Sequence, residues 1–347
     1  MKKQNLINLV KYYVDKNDTA FRNEVADIAR EFNANGDSEV GDYLMNLIST
    51  TNFYAPQNNY QSLHFLKKVF NENKSLLLPD AITEDVLGLV RSINSTIKVS
   101  SVIFYGAPGT GKTETAHQVA RLLNRDIFSV RMEELIDSHL GQTSKNIVDL
   151  FDEINHLASQ KVVVLFDELD SLVLNRINNN DLREMGRVTS TFLKELDSLS
   201  KDILIIATTN LIESFDKALL RRFDAKISFN RYTKSDLIDI SASILQSYIK
   251  KVNTSKVDIR LFKKILNNLK VIPFPGEMQQ LIKISLAFAD EANEYDYLRR
   301  FYLELHNNQI PDIKELTEQG YTTREIEIIT HIPKSSVSRK LKGDNNE

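Results

Sequence analysis

The sequence predicts an α/β fold: a parallel sheet with helices on both faces, followed by a helical segment and flanked by small helical modules at either end. Three observations carry this. From about residue 76, short β-branched runs alternate with helical stretches: Val99–Tyr105, Ile127–Arg131, Val162–Phe166, Ile203–Ala207 and Ile227–Phe229. A glycine-rich turn follows the first run and opens a helical stretch from Lys112. Beyond Tyr232 the strand pattern stops, and residues 234–305 show helical periodicity only, interrupted at Pro273-Phe274-Pro275-Gly276.

Before the sheet, Leu6, Leu9, Val10 and Tyr13 fall at helical spacing, and so do Val25, Ile28, Ala29 and Phe32. Val40, Tyr43, Leu44, Leu47 and Ile48 give a third stripe after the Asn35-Gly36-Asp37 break. Ser49–Tyr60 is polar, contains Pro56 and reads as a linker, and Leu63–Asn71 reads as one more amphipathic helix.

Composition narrows the classes of function. The chain has 347 residues, 42% hydrophobic and 26% charged, which suits two or three soluble domains with a sizeable core. With 44 Lys+Arg against 47 Asp+Glu, the net charge of -3 excludes a chain-wide basic coat for nucleic acid and a long acidic tail. The absence of Cys excludes disulfides, thiolate zinc sites and a cysteine nucleophile, and fits a reducing compartment. The start lacks an apolar signal core, and Val162–Phe166 falls far short of the roughly 20 residues of a membrane helix. A cytoplasmic protein with no membrane partner is expected.

Two motifs carry chemistry. Val102-Ile103-Phe104-Tyr105 runs into Gly106-Ala107-Pro108-Gly109-Thr110-Gly111-Lys112-Thr113, a G-x-x-x-x-G-K-T loop between a strand and a helix, and the candidate contacts extend to Glu114. Glycines let such a loop turn its N–H groups onto an anion, and the helix adds its positive end. Lys112 would reach the β- and γ-phosphates of a nucleotide, and the Thr113 hydroxyl would ligate Mg2+. The second motif is Lys161-Val162-Val163-Val164-Leu165-Phe166-Asp167-Glu168, an apolar strand ending in two carboxylates at the mouth of the sheet. Asp167 is placed to hold Mg2+, Glu168 to polarise an attacking water, and Asp170 to support them.

With these motifs the chain resembles the AAA+ ATPases, and within them the AAA group proper. Five segments carry the resemblance in family order, over about residues 76–290: Gly106–Thr113, Leu140–Lys145, Leu165–Glu168, Ile205–Asn210 and Ala218–Asp224. The resemblance implies that Asn210 is the sensor residue near the γ-phosphate and its attacking water. It also implies that Arg221 and Arg222 belong to the arginine-finger region, which reaches a neighbouring subunit's site, so a homo-oligomeric ring, usually a hexamer, is expected. Its preference for ATP comes from the resemblance alone. Two departures stand out. His139-Leu140-Gly141 lacks the aromatic that many family translocases carry in the first pore loop, and Pro275–Gln280 lacks a second sensor arginine.

The expected organisation is a helical N-terminal module and linker over 1–60, an AAA nucleotide-binding domain over 61–230, a helical lid over 231–306 and a C-terminal module over 307–347. In the last of these, Ile313–Gln319, Arg324–Thr330 and Ser335–Lys342 read as three short helices that resemble the helix-turn-helix of resolvases and bacterial regulators. Val337 and Leu341 face inward, and Ser336, Arg339, Lys340 and Lys342 face outward, suited to DNA phosphates and base edges. The stretch 334–342 is basic, whereas 307–347 as a whole is not, so a packing or assembly role stands beside DNA binding. Phe21-Arg22-Asn23-Glu24, Ile28-Ala29 and the Gly36-Asp37 break resemble bacterial AAA ATPases encoded beside subtilisin-like proteases, which implies control of a protease, as in antiviral (anti-phage) defence. The reading is an ATP hydrolase that remodels or switches a macromolecular partner, with protease control and nucleotide-controlled DNA binding as alternatives.

Overall fold

The computed structural model describes residues 3–14, 18–34, 40, 63–69, 77–93, 95–136, 141–157, 161–171, 182–252, 257–290 and 292–343. The chain divides into two compact units, Met1–Leu63 and His64–Glu347. In the first, helices Lys3–Val14 and Asp18–Ala34 pair, with Val25, Ile28 and Ala29 buried and the Asn8 amide donating to Glu24 at 3.2 Å. The third stripe beyond Val40 and the Ser49–Tyr60 linker lie outside the described residues.

The second unit is built on a six-stranded sheet: β1 (Leu66–Val69), β2 (Ser101–Tyr105), β3 (Ile127–Val130), β4 (Val163–Phe166), β5 (Leu204–Thr209) and β6 (Ala225–Ser228), in the spatial order β1-β3-β4-β5-β2-β6. All pairings are parallel except β1 with β3. Every residue of β4 and β5 is buried, which explains why these strands are continuous apolar runs rather than alternating ones. On one face, helices Asp80–Ile93 and Lys112–Leu122 press Ile82, Val86, Ala116 and Val119 onto Val102, Phe104, Leu165 and Ile206. Helices Gln142–His156 and Leu182–Ser198 bring Phe151 and Phe192 against Phe166, with ring centroids 5.4–6.1 Å apart.

The helix expected over Leu63–Asn71 is instead the edge strand β1, antiparallel to Ile127–Val130. Phe65 and Leu66 are buried there, and the Glu153 carboxylate accepts from the His64 and Phe65 N–H groups at 2.9 and 3.1 Å. Four residues carry too little periodicity to separate helix from strand, and pairing with β3 decides the matter.

Beyond the sheet come helix Lys234–Val252 and then Ile259–Asn268, Pro275–Ala287 and Asp296–Leu305, the helices expected to form the lid. Pro275 occupies the first turn of its helix, where a missing N–H costs nothing, so the Pro-Gly break marks a helix start. Helices Ile313–Glu318, Thr323–Thr330 and Lys334–Gly343 follow. Thr322 caps the second with a capping box to Glu325, and Gly320 at φ 86° ends the turn before it. These last helices share one core with the lid: Leu316, Tyr321, Ile326, Ile329 and Val337 pack in the cluster that holds Phe262, Phe301 and Tyr302. Three such short helices are too small to bury a core alone. Polar ties reinforce the joint. Lys264 meets Glu325 at 2.6 Å, and the buried Asp296 carboxylate accepts from Arg300 at 2.8 Å and lies 3.5 Å from His331. Among the described residues no helix is long and apolar enough to cross a membrane.

Candidate nucleotide site

The loop after β2 builds the floor of the site. Gly111 takes φ 87° as the residue preceding helix Lys112–Leu122, a left-handed conformation that a side chain resists, and it offers no side-chain cap. The helix therefore presents its positive end to the loop. The Thr110 hydroxyl donates to the Ala107 carbonyl at 2.8 Å, the Tyr232 phenol donates to the Thr110 carbonyl at 2.7 Å, and the Asn230 side-chain oxygen accepts from the Ala107 N–H at 2.8 Å. Burial, with Asp236 adding, pushes the Tyr232 phenol up to about 12, so it remains a donor at neutral pH.

Lys112 is buried, and its ammonium donates at 2.8 Å to the carbonyls of Gly106 and Ala107 and to the side-chain oxygen of Asn210. Burial lowers its pKa, while Asp167, Asp170 and Glu168 pull the other way. An ammonium held among oxygen acceptors beside three carboxylates is poised to exchange those acceptors for phosphate oxygens.

β4 delivers the acidic pair. The Thr113 hydroxyl donates to Asp167 Oδ1 at 2.9 Å, and the Thr208 hydroxyl donates to the same oxygen at 2.6 Å. Thr208, 1% exposed at the end of β5, also accepts from the Glu168 N–H at 2.9 Å. That bond holds Glu168 in a left-handed conformation, φ 52°, with its side chain on the cavity. The cavity measures about 690 Å³. Its sheet side is formed by Pro108, Gly109, Gly111–Glu114, Asp167, Glu168, Thr208 and Asn210. Its lid side is formed by Ile240, Ile244, Tyr248 and neighbours on helix Lys234–Val252, and by Pro275, Gly276 and Gln279. The Gly276 N–H donates to the Gly109 carbonyl at 2.8 Å, and a Cβ on Gly276 would stand 2.8 Å from the Gly109 Cα. Glycine is required where the two backbones meet.

The residues that could hold Mg2+, Thr113 and Asp167, offer hard oxygen, the chemistry that ion takes. Among the described residues no group of three or more His, Cys, Asp or Glu could hold a metal on its own.

Residues 102–231 match the model of the "ATPase family associated with various cellular activities (AAA)". This region is an AAA ATPase domain. The chain is 38% identical over 166 residues to the peroxisomal ATPase pex6 of Schizosaccharomyces pombe, covering 46% of this chain and 17% of that protein. It is 32% identical over 177 residues to the uncharacterized AAA family ATPase y4kL of Sinorhizobium fredii, covering 48% of this chain and 53% of that one. The chain thus spans about half, or much less, of the relatives it matches. Among solved structures, the FIGL-1 AAA domain superposes with a TM-score of 0.53 at 18% identity, over 77% of this chain and 96% of that one. This likeness concerns the fold.

Within the AAA domain the structure gathers most of the expected site residues and leaves some apart. Lys112, Thr113, Asp167, Glu168 and Asn210 converge on one cavity. Arg221 and Arg222 do not line it. Both are exposed at the end of helix Lys217–Arg222, and Arg222 pairs with Asp197 at 2.8 Å. His139 and Leu140 lie outside the described residues. Sequence reasoning gave no role to Thr208, Asn230, Tyr232 or Gln279. Thr208 lay inside the Ile205–Asn210 segment, but its two bonds to the acidic pair form only when β4 and β5 lie side by side. The other three act across more than 100 residues of chain or from the lid, and no local pattern marks them.

Proposed function

We propose that this chain is an ATP hydrolase whose turnover drives remodelling or switching of a macromolecular partner. One observation carries the reading: a buried ammonium, Lys112, bonded at 2.8 Å to Asn210 and lining one cavity with Thr113, Asp167 and Glu168. Lys112 and the loop N–H groups hold the β- and γ-phosphates. Thr113 and Asp167 would hold Mg2+, which would offset phosphate charge when bound. Glu168 accepts the proton of a water whose oxygen bonds to the γ-phosphorus, the bond from that phosphorus to the bridging oxygen breaks, and ADP and phosphate leave. Asn210 orients that water. Arg221, exposed and with no ion pair among the described residues, is the better candidate to complete the site of a neighbouring copy, since Arg222 holds Asp197 within its own chain. Such a finger contributes about 10³–10⁵ in rate, which favours a ring of copies as the working form.

The test is Lys112→Ala. Removing the ammonium should abolish ATP binding by titration calorimetry, while ATP bound with wild-type affinity would refute the phosphate role.

A second reading has its own support. Arg339 and Lys340 are exposed on helix Lys334–Gly343, whose opposite side is held by the buried Val337. This fits DNA binding through 334–342. Because the helix belongs to the lid core, lid motion would move it. Replacing both residues by Ala should reduce the salt dependence of DNA affinity by about two counterions, and wild-type affinity that ignores salt would refute the reading. Nothing in the described geometry favours control of a protease over any other protein partner.

A further inference from the structure

Three peptides of the phosphate loop are braced by groups that lie beyond the sheet. The Tyr232 hydroxyl donates to the Thr110 carbonyl at 2.7 Å, and the Gly276 N–H donates to the Gly109 carbonyl at 2.8 Å. In a trans peptide the carbonyl and the N–H that follows it point in opposite directions. A bond that draws the Gly109 carbonyl toward the lid therefore turns the Thr110 N–H away from it, back into the loop. The bond on the Thr110 carbonyl does the same for the Gly111 N–H. The third peptide is set the other way round. Its Ala107 N–H donates to the Asn230 side chain at 2.8 Å, and its Gly106 carbonyl accepts from Lys112 at 2.8 Å. Asn230 and Tyr232 stand between β6 and helix Lys234–Val252, and Gly276 lies in the first turn of helix Pro275–Ala287.

We infer that Tyr232 is a positioning residue for phosphate binding: together with the Gly276 N–H it presents the Thr110 and Gly111 N–H groups to the phosphates, so the grip of the loop depends on a docked lid. The inference rests on the nucleotide reading of the cavity. A carbonyl oxygen can only accept, so the phenol can only donate here. The Tyr232 ring packs against the core of the sheet and against the core of the lid. It also meets the Phe274 ring edge-on at 5.8 Å, one residue before helix Pro275–Ala287. Its hydroxyl is therefore carried to the loop by the same side chain that joins the two layers. By linkage, phosphate on these amides favours lid docking as much as docking favours phosphate.

The test is calorimetric titration of the full chain with ATPγS, and with tripolyphosphate, which has no base, in Mg2+ buffer. Tyr232→Phe keeps the ring against Phe274 and both cores and deletes only the donor. It should weaken both ligands by the same factor, about threefold to tenfold, while the thermal midpoint stays within a few degrees of wild type. Unchanged affinity for both ligands overturns the inference and leaves the phosphate reading intact, whatever the melt shows. A loss confined to ATPγS also overturns it, because the hydroxyl would then act at the base end of the cavity. So does a wild type that binds ATPγS but no tripolyphosphate, since presented amides should hold a chain of phosphates by themselves. Failure of the wild type to bind either ligand overturns the phosphate reading and this inference with it.

Discussion

Thr208 offers a sharp perturbation. Its hydroxyl, 1% exposed, donates to Asp167 Oδ1 at 2.6 Å and accepts from the Glu168 N–H at 2.9 Å. Thr208→Val keeps the side-chain volume and deletes both bonds. A hydrogen bond to an ionised carboxylate is worth about 1.5–3 kcal/mol, and an N–H left without its acceptor adds to the loss. Together the change should cost about 2–4 kcal/mol. At roughly 2–4 °C per kcal/mol for a domain of this size, the melting temperature should fall by about 4–16 °C. Turnover should fall further than stability alone requires, because Glu168 is steered into φ 52° by the lost bond. Misplacing a catalytic group by an ångström can cost about 10² in rate. Thr208→Ser retains the hydroxyl and should retain most of both properties. Thermal melts and phosphate-release rates read the two effects. If Thr208→Val melts with wild type and turns over ATP at the wild-type rate, the idea that this hydroxyl couples the acidic pair is wrong.

Other expectations follow from single contacts. Gly276→Val places a Cβ 2.8 Å from the Gly109 Cα and 3.2 Å from its carbonyl, backbone on both sides, so the lid must shift; ATP affinity by calorimetry should drop by about tenfold or more. Asp224 accepts from the N–H groups of Ser100 and Ser101 at 2.8 and 3.0 Å and anchors the start of β2, so Asp224→Ala should lower stability by about 1–2 kcal/mol in urea titrations. Acid should loosen the joint between lid and C-terminal helices. Burial alone would raise the Glu325 pKa, but Lys264 at 2.6 Å and the Thr322 N–H outweigh it and hold the group below its ordinary 4.5. A depressed folded pKa gives stability that is complete above 4.5 and lost as pH falls below it. Asp296 acts in the same direction: burial opposes ionisation, and the Asp290 N–H and Arg300 overcome it. Melts recorded from about pH 6 down to pH 3 should therefore show falling stability, and Lys264→Met should reduce that dependence.

The centre of the sheet was legible because β4 and β5 are buried on both faces, so Val162–Phe166 and Ile203–Ala207 read as strands without knowledge of their partners. The phosphate loop was legible because its chemistry is local: glycine, lysine and threonine act within eight consecutive positions. The edge strand Leu66–Val69 was not, since four residues carry little periodicity and the decisive partner, Ile127–Val130, lies far along the chain. The union of the C-terminal helices with the lid was hidden for a related reason. Their internal spacing marks three helices, but not which surface covers Leu316, Ile326 and Val337. Asp167, Glu168 and Asn210 could be read as strand-end residues, whereas Thr208 between them becomes visible only when β4 and β5 lie side by side.

The most direct test of the central claim is ATP binding and turnover by the Glu168→Gln protein. Glutamine keeps the size of the side chain and removes the proton acceptor. The account predicts ATP affinity close to wild type and phosphate release slowed by at least about 10²-fold. Undiminished hydrolysis by this variant, or a wild-type protein that releases no phosphate with Mg2+ and ATP at concentrations favouring self-association, would contradict it.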